Sequence, residues 1–116
     1  MLRRAIFLAL LLAPLAQAAE TLRLSPGAST TLRLKENPST GYSWRLDTAA
    51  SESLDRVAVS DGGHKRGAEM PGAPGEHVWI IKGVAPGAAT IAFAYQRPWE
   101  PAPVETRRVE VVVAPR

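Results

Sequence analysis

Two histidines, His64 and His77, are the residues of this sequence best suited to acid–base chemistry or metal binding. The chain contains no cysteine, and no acidic cluster adjoins either histidine in the sequence. Protein zinc sites combine three or four ligands of these types. We therefore predict no metal site and no cofactor, and we expect His64 to be a solvated loop residue and His77 a strand-edge residue.

The other side chains that could take part in catalysis do not form a catalytic set. No serine stands in a Gly-x-Ser-x-Gly motif, and there is no thiol nucleophile. Glu100 and Glu105 lie in or beside a proline-rich loop and are not framed as an acid–base pair. The glycine-rich stretch joins two predicted strands, whereas a phosphate-binding loop joins a strand to a helix. The sequence thus predicts a binding protein without catalytic residues, not an enzyme.

The first candidate binding element is a polar turn at residues 37–42. It consists of Asn37, Pro38, Ser39, Thr40, Gly41 and Tyr42. Asn37 can hydrogen-bond the backbone two residues on, Pro38 fixes φ, and Gly41 permits a positive φ. Apolar and polar residues alternate on both sides of the turn, which predicts a strand before and after it. Taken alone, the turn fits an ordinary hairpin or sandwich connection as well as a binding loop.

Alternation of apolar and polar residues predicts the strands that would position this turn. We predict strands at residues 20–24, 29–36, 42–47, 54–60, 76–84, 89–96 and 104–113. Residues 48–53 are weakly helical at most, and residues 61–75, with five glycines and two prolines, are expected to form a mobile loop. No segment after residue 18 shows a convincing helical period.

This pattern of short strands and turns is typical of an all-β sandwich. We predict an immunoglobulin-like antiparallel β-sandwich of about seven to eight strands without a disulfide. Trp44 is the candidate for its buried aromatic residue, and the other inward positions follow from the alternation. These positions are Leu22, Leu24, Leu32, Leu34, Val57, Val59, Trp79, Ile81, Ile91, Phe93, Tyr95, Val109, Val111 and Val113.

The first 18 residues have the features of a cleaved export signal. Arg3 and Arg4 form a positive start, a short apolar run follows, and Ala16-Gln17-Ala18 gives a small-x-small cleavage pattern. The apolar run is too short for a typical membrane span of about 20 residues. We therefore expect cleavage after Ala18, with cleavage after Ala19 as the alternative. This gives a signal peptide at residues 1–18, a single domain at residues 19–116, and a periplasmic or secreted location.

The predicted mature chain is almost neutral. Residues 19–116 carry 12 basic and 11 acidic residues, and Lys65-Arg66 and Arg107-Arg108 are their only adjacent basic pairs. A nucleic-acid-binding surface usually needs a larger basic patch. We therefore predict that the chain binds neither nucleic acid nor, after signal cleavage, a membrane. We also expect it to be a monomer.

Two further loop motifs follow the first in the sequence. One is Gly72, Ala73, Pro74 and Gly75; the other is Arg97, Pro98 and Trp99. In this order the three motifs resemble those of the chagasin-type inhibitors of papain-like cysteine proteases. That family's motifs read Asn-Pro-Thr-Thr-Gly-Tyr, a Gly-x-Gly-Gly-like loop, and Arg-Pro-Trp. The first motif differs here by Ser39, the third matches fully, and the middle one departs because Pro74 replaces a glycine.

The resemblance implies a function and a set of binding residues. It implies reversible, non-covalent inhibition, with the three loops at one end of the sandwich entering the cleft of a papain-like cysteine protease. The implied protease-binding residues are Asn37, Pro38, Ser39, Thr40, Gly41, Tyr42, Gly72, Ala73, Pro74, Gly75, Arg97, Pro98 and Trp99. Thr40 would cover the protease nucleophile and Trp99 would be an exposed anchor, whereas Arg97 either braces the loop or contacts the protease.

Two interpretations of other classes remain open on the sequence alone. One is an exported immunoglobulin-like adhesion or carbohydrate-binding module in which Trp99 and Tyr42 stack on sugar. The other is a structural accessory domain of a cell-surface assembly. Neither of these requires the three loop motifs in order, whereas the inhibitor does.

Overall fold

The computed structural model describes residues 20–67 and 73–116, and within them the chain forms seven β-strands. They are β1 (Glu20–Leu24), β2 (Ser29–Glu36), β3 (Ser43–Leu46), β4 (Val57–Arg66), β5 (Gly75–Gly83), β6 (Gly87–Gln96) and β7 (Glu105–Val113). Single 3-10 turns lie at Pro38–Thr40, Thr48–Ala50 and Leu54–Arg56. No helix in these two described segments is long and apolar enough to cross a membrane.

The strands form two sheets that face each other across one core. One sheet has the order β1-β7-β6-β3, and the other has the order β2-β5-β4. All pairings are antiparallel except that of β1 with β7, which is parallel. The predicted fold class, an immunoglobulin-like sandwich without a disulfide, is confirmed.

The core is the set of side chains that alternation points inward from both sheets. Its buried members are Leu32, Leu34, Trp44, Val57, Trp79, Ile81, Ala89, Ile91, Phe93, Val109, Val111 and Val113. Four other predicted inward residues, Leu22, Leu24, Val59 and Tyr95, are partly buried and pack against this core. Trp44 is only 4% exposed, which confirms its assignment as a buried aromatic residue.

The prediction for residues 54–75 was wrong in two places. Residues 54–56 form a 3-10 turn instead of the start of a strand, and β4 continues through Arg66, deep into the predicted mobile loop. The pairing of β4 with β5 shifts between Asp61 and His64, so a bulge absorbs the glycine pair. A Cβ on Gly62 would lie 2.9 Å from the carbonyl oxygen of Val78, which explains why glycine is needed there.

The connections β2–β3, β4–β5 and β6–β7 leave the sandwich at the same end. Glu36, at the end of β2, pairs with Gly75, at the start of β5, where β4 also ends. Ser43, at the start of β3, pairs with Gln96, at the end of β6. The backbone N–H of Trp44 donates to Glu36 Oε2 over 2.8 Å, and this hydrogen bond joins the two sheets at this end. We call these connections the first, middle and third loops.

Candidate functional site

The first loop is held in one shape by hydrogen bonds within itself. Asn37 Oδ1 accepts from the Ser39 hydroxyl over 2.7 Å and from its N–H over 3.3 Å. The Thr40 hydroxyl donates to the Asn37 carbonyl over 2.7 Å. Gly41 ends the 3-10 turn with φ +89°, a left-handed conformation that favours glycine. Pro38, Ser39 and Thr40 are nevertheless exposed, so the loop presents a firm, uncharged surface.

An aromatic stack connects the first loop to the core. The Tyr95 ring stacks on the Tyr42 ring, with the ring centroids 5.3 Å apart, and on the Trp44 ring, with the ring centroids 4.8 Å apart. The Tyr95 hydroxyl also accepts a hydrogen bond from the Asn37 N–H over 3.0 Å. Because Tyr95 belongs to β6 and Trp44 to β3, the loop is fixed to the four-stranded sheet.

Arg97, the first residue of the third loop, braces the first loop. Its Nε donates to the Thr40 carbonyl over 2.9 Å, and its guanidinium lies 4.3 Å from the centre of the Tyr42 ring. Its Nη1 also lies 3.3 Å from a carboxylate oxygen of Glu100 within the third loop. Of the two roles that the sequence left open for Arg97, the bracing contacts are present in the structure.

Trp99 is the most exposed large apolar side chain recorded among the described residues. It is 69% exposed, as predicted, and Pro98 beside it is also exposed. Its indole lies over the first loop: a Cβ on Gly41 would be 2.7 Å from Trp99 Cη2. Gly41 is therefore required both by its backbone conformation and by the indole above it, and the first and third loops form one surface.

The middle loop is described only in part. Gly72 lies outside the described residues, whereas Ala73 is half-buried, Pro74 exposed and Gly75 buried. A Cβ on Gly67 would lie 2.6 Å from the Pro74 carbonyl oxygen, so the two arms of the loop approach closely at its base. The structure thus places the described part of this motif at the same end as the other two.

A cluster of polar side chains that sequence reasoning missed lies at this end, and two of its four members are buried. We call it the carboxylate–histidine cluster: Glu36, Asp61, His64 and His77. Glu36 is 3% exposed, and its Oε1 lies 2.8 Å from His64 Nδ1. His77 is 8% exposed, and its Nδ1 lies 2.9 Å from Glu36 Oε2 while its Nε2 lies 2.6 Å from Asp61 Oδ1.

The predicted settings of both histidines were therefore wrong. His77 is buried and stacks on Trp79 with centroids 4.8 Å apart, and His64 is half-buried. Their carboxylate partners are 16 to 41 positions away in the sequence, so no local sequence pattern could predict these contacts. Within the described residues, no group of three or more His, Asp or Glu side chains is arranged to hold a metal ion.

Asp61 is the residue of the cluster whose pKa its partners lower. Partial burial opposes ionisation of Asp61, but hydrogen bonds from His77 and the Gly63 N–H, with the charge of His77, lower the pKa of this carboxyl. Stability from this contact is therefore present above the ordinary aspartate pKa of about 3.9 and is lost as the pH falls through the lowered value.

Comparison with known proteins finds a family match over most of the chain. The family model for the chagasin family peptidase inhibitor I42 matches residues 23–113. Amoebiasin-2 and amoebiasin-1, both from Entamoeba histolytica, are each 33% identical to this chain over 81 residues. The match covers 69% of this chain and 64% of amoebiasin-2, which is slightly less than two thirds of that relative. For amoebiasin-1 the corresponding shares are 70% and 76%.

Two solved structures extend the comparison to the fold. The cysteine protease inhibitor EhICP2 from Entamoeba histolytica superposes with a TM-score of 0.62 and 29% identity, over 82% of this chain and 86% of that one. PbICP-C, solved in complex with falcipain-2, gives a TM-score of 0.62 and 25% identity, over 84% of this chain and 90% of that one.

Proposed function

Because this chain belongs to the chagasin family of peptidase inhibitors, we propose that it is a reversible, non-covalent inhibitor of papain-like cysteine proteases. The observation that carries the proposal is the joint surface of the first and third loops. There an exposed indole, Trp99, sits over a braced, uncharged turn. Large aromatic side chains on rigid supports are typical of binding hot spots.

The shape of the first loop supports occlusion of the protease without cleavage. Thr40 stands on a 3-10 turn followed by left-handed Gly41, so this backbone is not extended like a strand. The Thr40 carbonyl is hydrogen-bonded to Arg97, and its hydroxyl to Asn37. Because the Thr40 carbonyl already accepts a hydrogen bond within the inhibitor, it is poorly placed to accept hydrogen bonds from the protease's oxyanion hole, which would activate it for cleavage. The uncharged turn can also cover a thiolate–imidazolium pair without burying an unpaired charge.

The rival carbohydrate-binding function has less support. It requires open faces on Tyr42 and Trp99 for stacking on sugar. Tyr42 already stacks on Tyr95 and carries the Arg97 guanidinium 4.3 Å from its ring centre. Of these two rings, Trp99 alone is left as an exposed platform.

We further propose that the inhibitor acts as a monomer. The edge strands β2 and β4 of the three-stranded sheet carry exposed cations at the loop end. These are Arg33, Lys35, Lys65 and Arg66. Charged residues on sheet edges disfavour pairing with the edge of a second molecule.

Titration of papain with the purified protein tests the function. We expect loss of activity at near-stoichiometric inhibitor, recovery on dilution, and an unchanged intact mass of the inhibitor after long incubation. A serine protease such as trypsin should keep its activity under the same conditions. Full papain activity at a large excess of inhibitor would refute the proposal and leave sugar arrays as the next measurement.

We propose, finally, that the protein is exported and works in the periplasm or outside the cell. The support is the charged, apolar and small-x-small order of residues 1–18. Expression of the full sequence should yield a mature protein that begins at Ala19, because cleavage is expected after Ala18. Intact-mass measurement of the exported fraction checks this, and a species that retains Met1 would contradict it.

A further inference from the structure

The carboxylate–histidine cluster lies where the supports of the first and middle loops meet. Glu36 is the last residue of β2 and directly precedes the first loop. His64 lies near the end of β4, two positions before Arg66, and His77 lies near the start of β5, two positions after Gly75. These two strands are the arms of the middle loop, so the cluster contacts the bases of both loops.

The side chain of Glu36 makes a bond to each of these supports. Its Oε2 accepts the Trp44 N–H over 2.8 Å, at the start of β3 and in the other sheet. Its Oε1 is 2.8 Å from His64 Nδ1, and its Oε2 is 2.9 Å from His77 Nδ1. One carboxylate therefore joins β2, β3, β4 and β5 at the loop end of the molecule.

Burial makes these bonds hard to replace. The Glu36 side chain is 2% exposed, so water cannot take over the place of a lost partner. An ionised carboxylate in such a position persists only when it is paired and hydrogen-bonded. The bonds are also directional, which fixes the relative placement of the groups that make them.

We propose that Glu36 is a positioning residue of the inhibitor: by joining Trp44, His64 and His77 it fixes the ends of β4 and β5, which carry the middle loop, relative to the first loop. The proposal rests on the proposed function for its consequence, since a pre-placed middle loop loses less conformational entropy when it binds a protease. The placement itself is a property of the free protein and can be measured without any protease.

Distance measurements between spin labels test the placement directly. The chain has no cysteine, so two introduced cysteines are the only labelling sites. Ser43 at the base of the first loop and Pro74 in the middle loop are both exposed. With labels at Ser43→Cys and Pro74→Cys, Glu36→Gln should broaden the distance distribution by about twofold, because loop arms without a fixed support sample more conformations.

A second label pair separates positioning from general loosening. Ser43 and Lys82 span the sandwich from the loop end to the opposite end of β5, and both are exposed. Their distance distribution should keep its width in Glu36→Gln. Equal broadening of both pairs, or no broadening of either, would overturn the proposal.

Two further variants guard against an ambiguous result. Should Glu36→Gln fail to fold, His64→Ala removes only the contact to β4 and should broaden the Ser43–Pro74 distribution in the same direction. Arg56 donates to the Pro86 carbonyl at the far end of the sandwich, so Arg56→Met is a matched loss of a polar contact. Arg56→Met should leave both distributions unchanged, and broadening of Ser43–Pro74 in it would refute a specific role for Glu36.

Inhibition of papain then reports the functional consequence. Glu36→Gln should raise the inhibition constant by about tenfold, the equivalent of ~1.4 kcal/mol of lost pre-organisation. If wild type inhibits papain and Glu36→Gln broadens the Ser43–Pro74 distribution without raising the inhibition constant, the role of Glu36 in inhibition is refuted. If wild type does not inhibit papain at all, the proposed function fails, while the distance data still decide the positioning role.

Discussion

Replacing Trp44 with alanine is expected to lower the free energy of unfolding by about 3–5 kcal/mol. The indole is 4% exposed, stacks on Tyr95, and donates its Nε1–H to the Lys35 carbonyl over 2.7 Å. Alanine would leave a cavity between the sheets and remove the hydrogen bond to that carbonyl. Since about 1 kcal/mol shifts the melting temperature of a domain this size by about 4–8 °C, the melt should fall by more than about 12 °C.

Two variants control this result. Trp44→Phe keeps an aromatic ring but loses the N–H, so it should cost less than Trp44→Ala. Trp99→Ala makes the same chemical change at a 69% exposed position and should leave the melt almost unchanged. Equal melting temperatures for wild type and Trp44→Ala would contradict the burial of the indole and the packing of β3.

Trp99→Ala is expected to have the opposite profile, with little effect on folding and a large effect on inhibition. Losing this exposed aromatic side chain should cost about 2 kcal/mol of binding free energy, which raises the inhibition constant for papain by roughly 10- to 100-fold. The variant removes the indole, which lies over Gly41 and has its ring centre 5.8 Å from the Arg97 guanidinium, but it leaves the partners of Arg97 on the first loop, the Thr40 carbonyl and the Tyr42 ring, unchanged. The first loop should therefore keep its conformation, and the loss should report the missing contact.

Val104→Ala is the matched control for this measurement. Val104 is 59% exposed and lies just after the third loop motif, so it tests whether loss of any exposed apolar group near the loop matters. Its inhibition constant should equal that of wild type. A Trp99→Ala variant that inhibits papain as well as wild type would remove the anchor role from Trp99.

The sequence predicted the elements whose signals are local. The alternation of Leu32 and Leu34 with charged residues placed β2 with the same ends that the structure shows. The isolation of Trp99 between prolines, outside any alternating run, predicted its exposure correctly. In both cases a few neighbouring residues determine the structure, so the presence or absence of apolar–polar alternation predicts it.

The errors came from residues whose surroundings are set by distant parts of the chain. Gly62 and Gly63 are typical of a loop, but pairing with β5 turns them into a bulge within β4. His77 has an ordinary strand-edge context in sequence, yet its partners Glu36 and Asp61 are 41 and 16 positions away. Tertiary pairing overrides local preference at such sites, and a single sequence carries no record of that pairing.

The parallel pairing of β1 with β7 has a consequence for when the molecule can finish folding. Glu20 of β1 pairs with Val109 of β7, so β1 is synthesised 89 positions before the strand with which it pairs. At roughly 5–20 residues per second, translation imposes a delay of about 4–18 s before that partner exists. During this interval Leu22 and Leu24 have no sheet to join, so the four-stranded sheet is the last part of the newborn chain to close.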